Sequence, residues 1–172
     1  MTAVFYLSGA VAVIATALAV TRVFAVHALL YLIVSLLSVA LVFYSLGAAF
    51  VAALEVIVYA GAIMVLFLFV IMMLNLSPEG IAEERLWWTP RMWVGPSILA
   101  TLLVAELVYV LASGGNQPQA GSVVDPRQVG MALFGPYLLG VEVASFLLLA
   151  GLVGAYHLGH RQPAEEERFG GA

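Results

Sequence analysis

The sequence predicts an all-α, polytopic integral membrane protein with five transmembrane helices, and three observations support this prediction. Of its 172 residues, 64% are hydrophobic and only 9% are charged, and the mean hydropathy is +1.10. A soluble domain has about 25% charged and 45–50% apolar residues. The apolar residues form five runs, and a membrane span needs about 20. Strand-like alternation is absent, so the spans are expected to be helices.

The predicted helices cover about residues 4–20, 24–46, 48–74, 93–112 and 133–158, in a single membrane domain of residues 1–163. Almost nothing separates the second helix from the third around Gly47, so these two are expected to be antiparallel neighbours. The third run is long enough to tilt or kink. Residues 113–130 have turn residues and no periodicity, which indicates an exposed loop. Residues 164–172 form a polar tail, where fraying is expected.

The first helix needs a check against a cleaved signal. Ala17-Leu18-Ala19 follows an apolar run and resembles a signal-peptidase site. No basic residue precedes the run, however, and the run is longer than the apolar region of a normal signal peptide. We expect a retained transmembrane helix.

The arginines predict the orientation, because the chain has no lysine. In a five-helix arrangement five arginines fall on one side of the membrane and Arg127 on the other; the five are Arg22, Arg85, Arg91, Arg161 and Arg168. Cytoplasmic loops carry the excess of basic residues. The N-terminus is therefore expected outside the cell and the C-terminus in the cytoplasm.

Composition excludes several kinds of chemistry. Without cysteine the chain forms no disulfide, thiolate nucleophile or cysteine–metal bond. A net charge of −4 and the lack of a basic patch argue against a nucleic-acid partner. His27, His157 and His160 lie near predicted membrane boundaries with no evident third ligand, so no metal site is expected. No motif for a catalytic nucleophile, phosphate group or haem is present, so we expect no catalytic or cofactor-binding residue.

The most informative stretch is EVIVYAGAIMVLFLFVIMML, residues 55–74. A charge inside the bilayer costs roughly 2.5–3.5 kcal/mol by insertion scales, so Glu55 needs a partner or a function. Tyr59 lies four residues later on the same helix face and can both donate and accept a hydrogen bond. Gly61 weakens the helix by about 1 kcal/mol relative to alanine. An ionisable group beside a weak point in a helix suggests proton handling coupled to a backbone change.

The backbone change that we expect is a π-bulge between Tyr59 and Met64. Its loss or gain would rotate the side chains beyond it by about a third of a turn. Met64, Val65 and Phe67 could then swing across a narrow passage and control its wetting. The alternative is that Gly61 only marks close helix packing, the commonest use of membrane glycine.

Two further carboxylates lie within predicted spans. Glu142 is near the middle of the fifth helix, and Ser145 shares its face. Glu106 lies nearer the outer surface in the fourth helix, so we expect it to matter less than Glu55. For all three carboxylates the alternative is a structural hydrogen bond to a neighbouring helix.

Two segments resemble a known family. The segment EVIVYAGAIMVLFLFVIMMLNL contains a motif in which Glu55 is followed four residues later by Tyr59 and two residues after that by Gly61. The segment GMALFGPYLLGVEVASFLLLAGLVGA contains the second set, Leu133, Phe134, Tyr137, Glu142, Ser145 and Gly154. Both resemble the J-chain family of bacterial proton-translocating NADH–quinone oxidoreductase, whose mitochondrial relatives are subunit 6 of respiratory complex I. The family often has Phe before the second Glu, where this chain has Val141.

The resemblance implies a subunit that carries no redox centre in a large membrane assembly. NADH, FMN, iron–sulfur clusters and quinone would be bound by other subunits. The K, A, H and N chains would be its membrane partners, in the inner membrane of a bacterium. The family's third helix has a π-bulge near the Tyr–Gly pair, and its conversion to α-helix is thought to open or close a water path. Together with the argument from the residues, the resemblance predicts that Glu55, Tyr59 and Glu142 belong to the proton path, and Gly61, Met64, Val65 and Phe67 to the gate.

Two other classes of protein stay open on the residues alone. A stand-alone or oligomeric ion transporter or channel would need an assembly of copies, since five helices without internal symmetry leave little room for inverted repeats. A structural scaffold would use its intramembrane carboxylates only for packing. Co-purification with quinone-reducing activity separates the first class from the complex-subunit interpretation, and substitutions at Glu55 and Gly61 separate the second.

Overall fold

A computed structural model describes residues 2–22, 25–74, 90–113 and 123–159, and all regular structure within them is helical. The elements are α1 (Thr2–Thr21), α2 (Ala25–Ser45), α3 (Ala49–Leu54), a π-helical segment (Glu55–Ile63), α4 (Met64–Leu74), α5 (Pro90–Ala112), α6 (Pro126–Leu133) and α7 (Leu138–Gly159). Five stretches are long and apolar enough to span a membrane, and the third of them, Ala49–Met73, combines α3, the π segment and α4. The predicted all-α fold with five spans is confirmed. The tail at 164–172 and Arg85, Arg161 and Arg168 lie outside the described residues.

The core of the first compact unit, Met1–Pro126, lies where α1, α2 and α5 meet. Its buried apolar side chains are Val11, Ala15, Val34, Leu41 and Leu103. The Ser35 hydroxyl donates to the Ala12 carbonyl (3.0 Å) and lies 2.7 Å from the Thr16 hydroxyl, which can therefore donate to it. Small side chains that let helices approach, together with hydroxyl bonds between them, are the usual means of helix association in lipid.

A tight turn at Gly47 joins α2 to the third span. Gly47 has a positive φ of 84°, a conformation that glycine adopts without strain. The Gly47 carbonyl accepts a hydrogen bond from the Val124 amide at 3.1 Å. The turn is thereby tied to the segment that precedes α6, and α2 and α3 run as the antiparallel neighbours that the short connection predicts.

The beginnings of α2 and α5 approach closely around a buried aromatic ring. Tyr31 is 3% exposed, and the Arg22 guanidinium lies over its ring, 5.2 Å from the centroid. A Cβ atom at position 95 would overlap the Tyr31 hydroxyl, so a side chain there would require the Tyr31 ring to shift. The nearby His27 and Trp93 rings pack edge to face at 6.3 Å.

The second compact unit, Arg127–Ala172, contains most of α6, a turn over residues 134–137 and α7. The last span thus begins at Leu138, later than the expected 133, and α6 occupies part of the expected loop. Two residues explain the break. Pro136 has no amide to donate to a helix, and a Cβ at Gly135 would lie 2.6 Å from the Met131 carbonyl oxygen. Pro126, with its fixed φ, favours the first turn of α6.

We expect Gly95→Ala to lower the free energy of unfolding by about 1–3 kcal/mol, the usual cost of overpacking. The added methyl group would press on the Tyr31 hydroxyl, and Tyr31→Phe in the same chain should restore part of the loss. Thermal unfolding in detergent measures the effect. Gly9→Ala is the matched control, because a Cβ there meets nothing within 4 Å. Equal stability of the two alanine variants would contradict the close approach of α2 and α5.

Candidate functional site

The third span changes its hydrogen-bond register over the residues that the sequence singled out. At its start, the Glu55 amide donates to the carbonyls of Val51 and Ala52, four and three residues back. Just after its end, the Met64 amide donates to the carbonyls of Tyr59 and Gly61, five and three residues back. The expected helix irregularity is therefore confirmed, although it extends over Glu55–Ile63 and begins before Tyr59.

Gly61 fits the π register for a steric reason. A Cβ atom at this position would lie 3.1 Å from the Val56 carbonyl oxygen, five residues back, which is closer than most Cβ contacts. A side chain at 61 would thus require that carbonyl to move by a few tenths of an ångström. Glycine is the residue that allows the wide turn without this displacement.

Glu55 and Tyr59 lie together on the π segment, and both are partly accessible. Glu55 is partly buried and Tyr59 is half exposed. Neither side chain forms a hydrogen bond or ion pair with another residue in the described parts of the chain. Both groups are therefore available to water or to an adjoining surface, and each can accept or donate a hydrogen bond.

The three predicted gate residues point in different directions. Met64 is 6% exposed, whereas Val65 is 59% and Phe67 50% exposed. Consecutive residues of a helix point about 100° apart, so Met64 packs inward while the next side chain faces outward. Of the three, Met64 alone therefore faces the interior of the first unit.

An apolar cavity of about 330 Å³ lies beside the start of the π segment. Its walls come from α2, α5 and the third span, which contributes Ala49, Ala52, Ala53 and Val56. The cavity is partly open at the surface of the chain. Side chains next to the π segment consequently have room to repack.

Glu142 lies in α7, in the second unit, with its side chain exposed. The Ser145 hydroxyl, which shares its face, donates to the Val141 carbonyl of the same helix at 3.0 Å. In this structure Ser145 therefore bonds to the backbone of α7 rather than to Glu142.

Glu106 is more deeply packed than its position in the sequence suggested. It is 6% exposed, and its Oε2 accepts a 2.9 Å hydrogen bond from the hydroxyl of Ser8, which is fully buried. Its predicted position near the outer end of the fourth helix does not indicate this burial. Helical spacing could have found it, because Glu106 lies three residues after Leu103 and four before Val110, both on the buried face of α5.

Comparison with known proteins gives a consistent result. Residues 15–158 match the family described as NADH-ubiquinone/plastoquinone oxidoreductase chain 6. NADH-quinone oxidoreductase subunit J of Pseudomonas aeruginosa is 58% identical over 163 residues, covering 94% of this chain and 98% of that protein. The subunit J proteins of Escherichia coli strain K12 and of Buchnera aphidicola from Acyrthosiphon pisum are 52% and 46% identical, covering 94% and 96% of this chain and 88% and 97% of their own lengths. A chain with this coverage, five spans and a π segment at its Glu–Tyr–Gly motif belongs to the chain 6 family of NADH-ubiquinone/plastoquinone oxidoreductases.

Proposed function

We propose that this chain is a membrane-arm subunit of a proton-pumping NADH–quinone oxidoreductase and helps to couple quinone reduction to proton translocation. It performs no redox step itself; NADH, FMN, the iron–sulfur clusters and quinone are bound by other subunits. The observation that carries the proposal is the π segment at Glu55–Ile63, which contains an intramembrane carboxylate, a phenol and a glycine.

The coupling step is a change of register in the π segment. π-bulges are rare within α-helices and occur frequently at functional sites. When the segment returns to a regular α-helix, the side chains that follow it shift by one helical position relative to those that precede it. This shift rotates them by about 100° around the helix axis. Every backbone amide keeps a carbonyl partner before and after the change, as the membrane interior requires.

That rotation changes what lines the interior. Met64 now packs inward, and a one-residue shift brings Ile63 or Val65 into its place. These side chains differ in length and branching, so the passage beside them widens or narrows. A narrow apolar passage conducts protons only while it holds water, and small changes in its width decide whether it does. The cavity beside Ala52, Ala53 and Val56 provides space for the repacking.

Glu55 and Tyr59 form part of the proton path next to this gate, and Glu142, on α7 of the second unit, is a further residue that carries protons. The carboxylate takes up and releases protons, and the phenol passes them on by donating one hydrogen bond while accepting another. Water fills the remaining distances when the passage is open. A carboxylate at membrane depth with no ion pair in the described parts of the chain fits this role.

The large apolar surface of the third span fits an assembly of membrane subunits. Tyr59, Val65, Leu66 and Phe69 are all half exposed or more in the chain by itself. In the bacterial inner membrane these residues would contact lipid or the helices of the K, A, H and N chains. The N-terminus would lie outside and the C-terminus in the cytoplasm, as the arginine distribution indicates.

The first test concerns the carboxylate. We expect Glu55→Gln to reduce the number of protons pumped per NADH, because the amide keeps the size of the side chain but cannot exchange a proton. The loss should be partial, since a hydrated path can use other carboxylates. Proton uptake and NADH oxidation in membrane vesicles measure the ratio, and Glu106→Gln should have a smaller effect. Unchanged coupling in Glu55→Gln with abolished coupling in Glu106→Gln would reverse the ranking of the two sites.

The second test concerns the register. We expect Gly61→Val to slow coupled activity more than it lowers the amount of assembled complex, and Gly61→Ala to have a smaller effect in the same direction. Both add a Cβ atom against the Val56 carbonyl and so disfavour the π register. Gly9→Val is the matched control, because the space around Gly9 is open. Structures of resting and turnover states that share one register throughout Tyr59–Met64 would remove the gate.

The third test concerns orientation. Reporter fusions after Ala164 and within residues 113–130 should report the cytoplasm and the outside, respectively, because five of the six arginines fall on the cytoplasmic side. The opposite pattern at either site would show that the orientation is inverted.

A further inference from the structure

The buried carboxylate of Glu106 has no part in the coupling step proposed above. It lies between α1 and α5, where the Ser8 hydroxyl donates to its Oε2. Its other oxygen, Oε1, is also buried and has no hydrogen-bond partner among the described residues. A buried polar group with one of its two oxygens unpaired is costly to keep, so its retention calls for a physical reason.

The neighbours of Glu106 on α5 connect it to the third span. Leu103 and Val110 lie about one turn before and one turn after it, and both are buried. These two residues, with Leu107 and Leu111, form the α5 wall of the apolar cavity. The opposite wall includes Val56, within the π segment itself.

We propose that Glu106 is a positioning residue: its hydrogen bond to Ser8 fixes the rotation of α5, and so holds Leu103 and Val110 as the wall against which the third span repacks. The inference rests on the proposed register change. Apolar packing between helices in lipid has no hydrophobic driving force behind it and leaves a helix some freedom to rotate, because lipid tails solvate apolar side chains as well as another helix does. A single directional bond between α1 and α5 removes that freedom.

The Ser8–Glu106 bond has the properties that this role needs. Ser8 is fully buried and has a short side chain, so a 2.9 Å contact leaves little freedom to either helix. The bond requires an accepting oxygen on residue 106 but no exchangeable proton. Glutamine supplies that oxygen at the same place, whereas leucine fills a similar volume without it.

The test uses the intact enzyme in native membranes and compares Glu106→Gln, Glu106→Leu, Ser8→Ala and the double variant Ser8→Ala/Glu106→Leu. For each we would measure the amount of assembled complex, the rate of NADH–quinone reduction and the protons pumped per NADH. Glu106→Gln should match the unmodified enzyme in this ratio. At equal amounts of assembled complex, Glu106→Leu and Ser8→Ala should each lower the number of protons pumped per NADH. The double variant should lose no more coupling than the worse single variant, because the two residues are partners in one bond.

Three results would overturn the proposal. If Glu106→Gln lost as much coupling as Glu106→Leu, the carboxyl would act through its proton and not through position. If all four variants kept the normal ratio, or lowered only the amount of complex, the bond would serve folding alone. If the losses of Ser8→Ala and Glu106→Leu added in the double variant, the two residues would act separately. Ser8→Ala, which keeps the carboxylate, preserves the test should Glu106→Leu fail to assemble.

Gly61→Val, measured in parallel, distinguishes this inference from the proposed function. Lower coupling in Gly61→Val with normal coupling in Glu106→Leu and Ser8→Ala would reject the positioning role and leave the register change in place. Normal coupling in Gly61→Val would reject the register change and, with it, the proposal for Glu106.

Discussion

The interior of a lipid bilayer offers no water to an unpaired backbone group, and this constraint governs the third span. Each amide must find a carbonyl within its own helix. A soluble helix can open a turn and bond to solvent, but a membrane helix can only exchange one carbonyl partner for another. The π segment is such an exchange, since the Glu55 amide reaches back four residues and the Met64 amide reaches back five. Gly61 makes the exchange sterically acceptable at the Val56 carbonyl.

The rest of the first unit is held together by polar bonds between its helices. Hydroxyl bonds join α1 to α2 through Thr16 and Ser35, and α1 to α5 through Ser8 and Glu106. These polar bonds lie among buried valine, alanine and leucine side chains, where they give the packing a defined orientation. The third span, by contrast, presents small alanines to a cavity and so keeps room to move. This three-helix frame beside a less closely packed helix is the arrangement that the proposed register change requires.

The sequence predicted the five spans because apolar length is a direct consequence of bilayer thickness. It also located the irregular helix, since a carboxylate and a glycine within one apolar run are each unfavourable there. The extent of the π segment back to Glu55 was not predictable, because the register depends on backbone bonds that carry no side-chain signal. The burial of Glu106 depends on which neighbouring helix its face meets, and its position along the helix does not indicate that. The turn before α7 was missed although Gly135 and Pro136 mark it, because hydropathy alone does not detect a break between two apolar segments.

The π segment also alters the length of the span that contains it. As a regular α-helix, the 25 residues of Ala49–Met73 would measure about 37 Å at a rise of 1.5 Å per residue, well beyond a hydrocarbon core of about 30 Å. A wider turn places more residues in each turn and shortens the helix along its axis. The two registers therefore differ in hydrophobic length, and a change in bilayer thickness acts on them unequally. In the proposed register change, a thin membrane would favour the π form and a thick one the regular helix, so the lipid itself would take part in the balance between them.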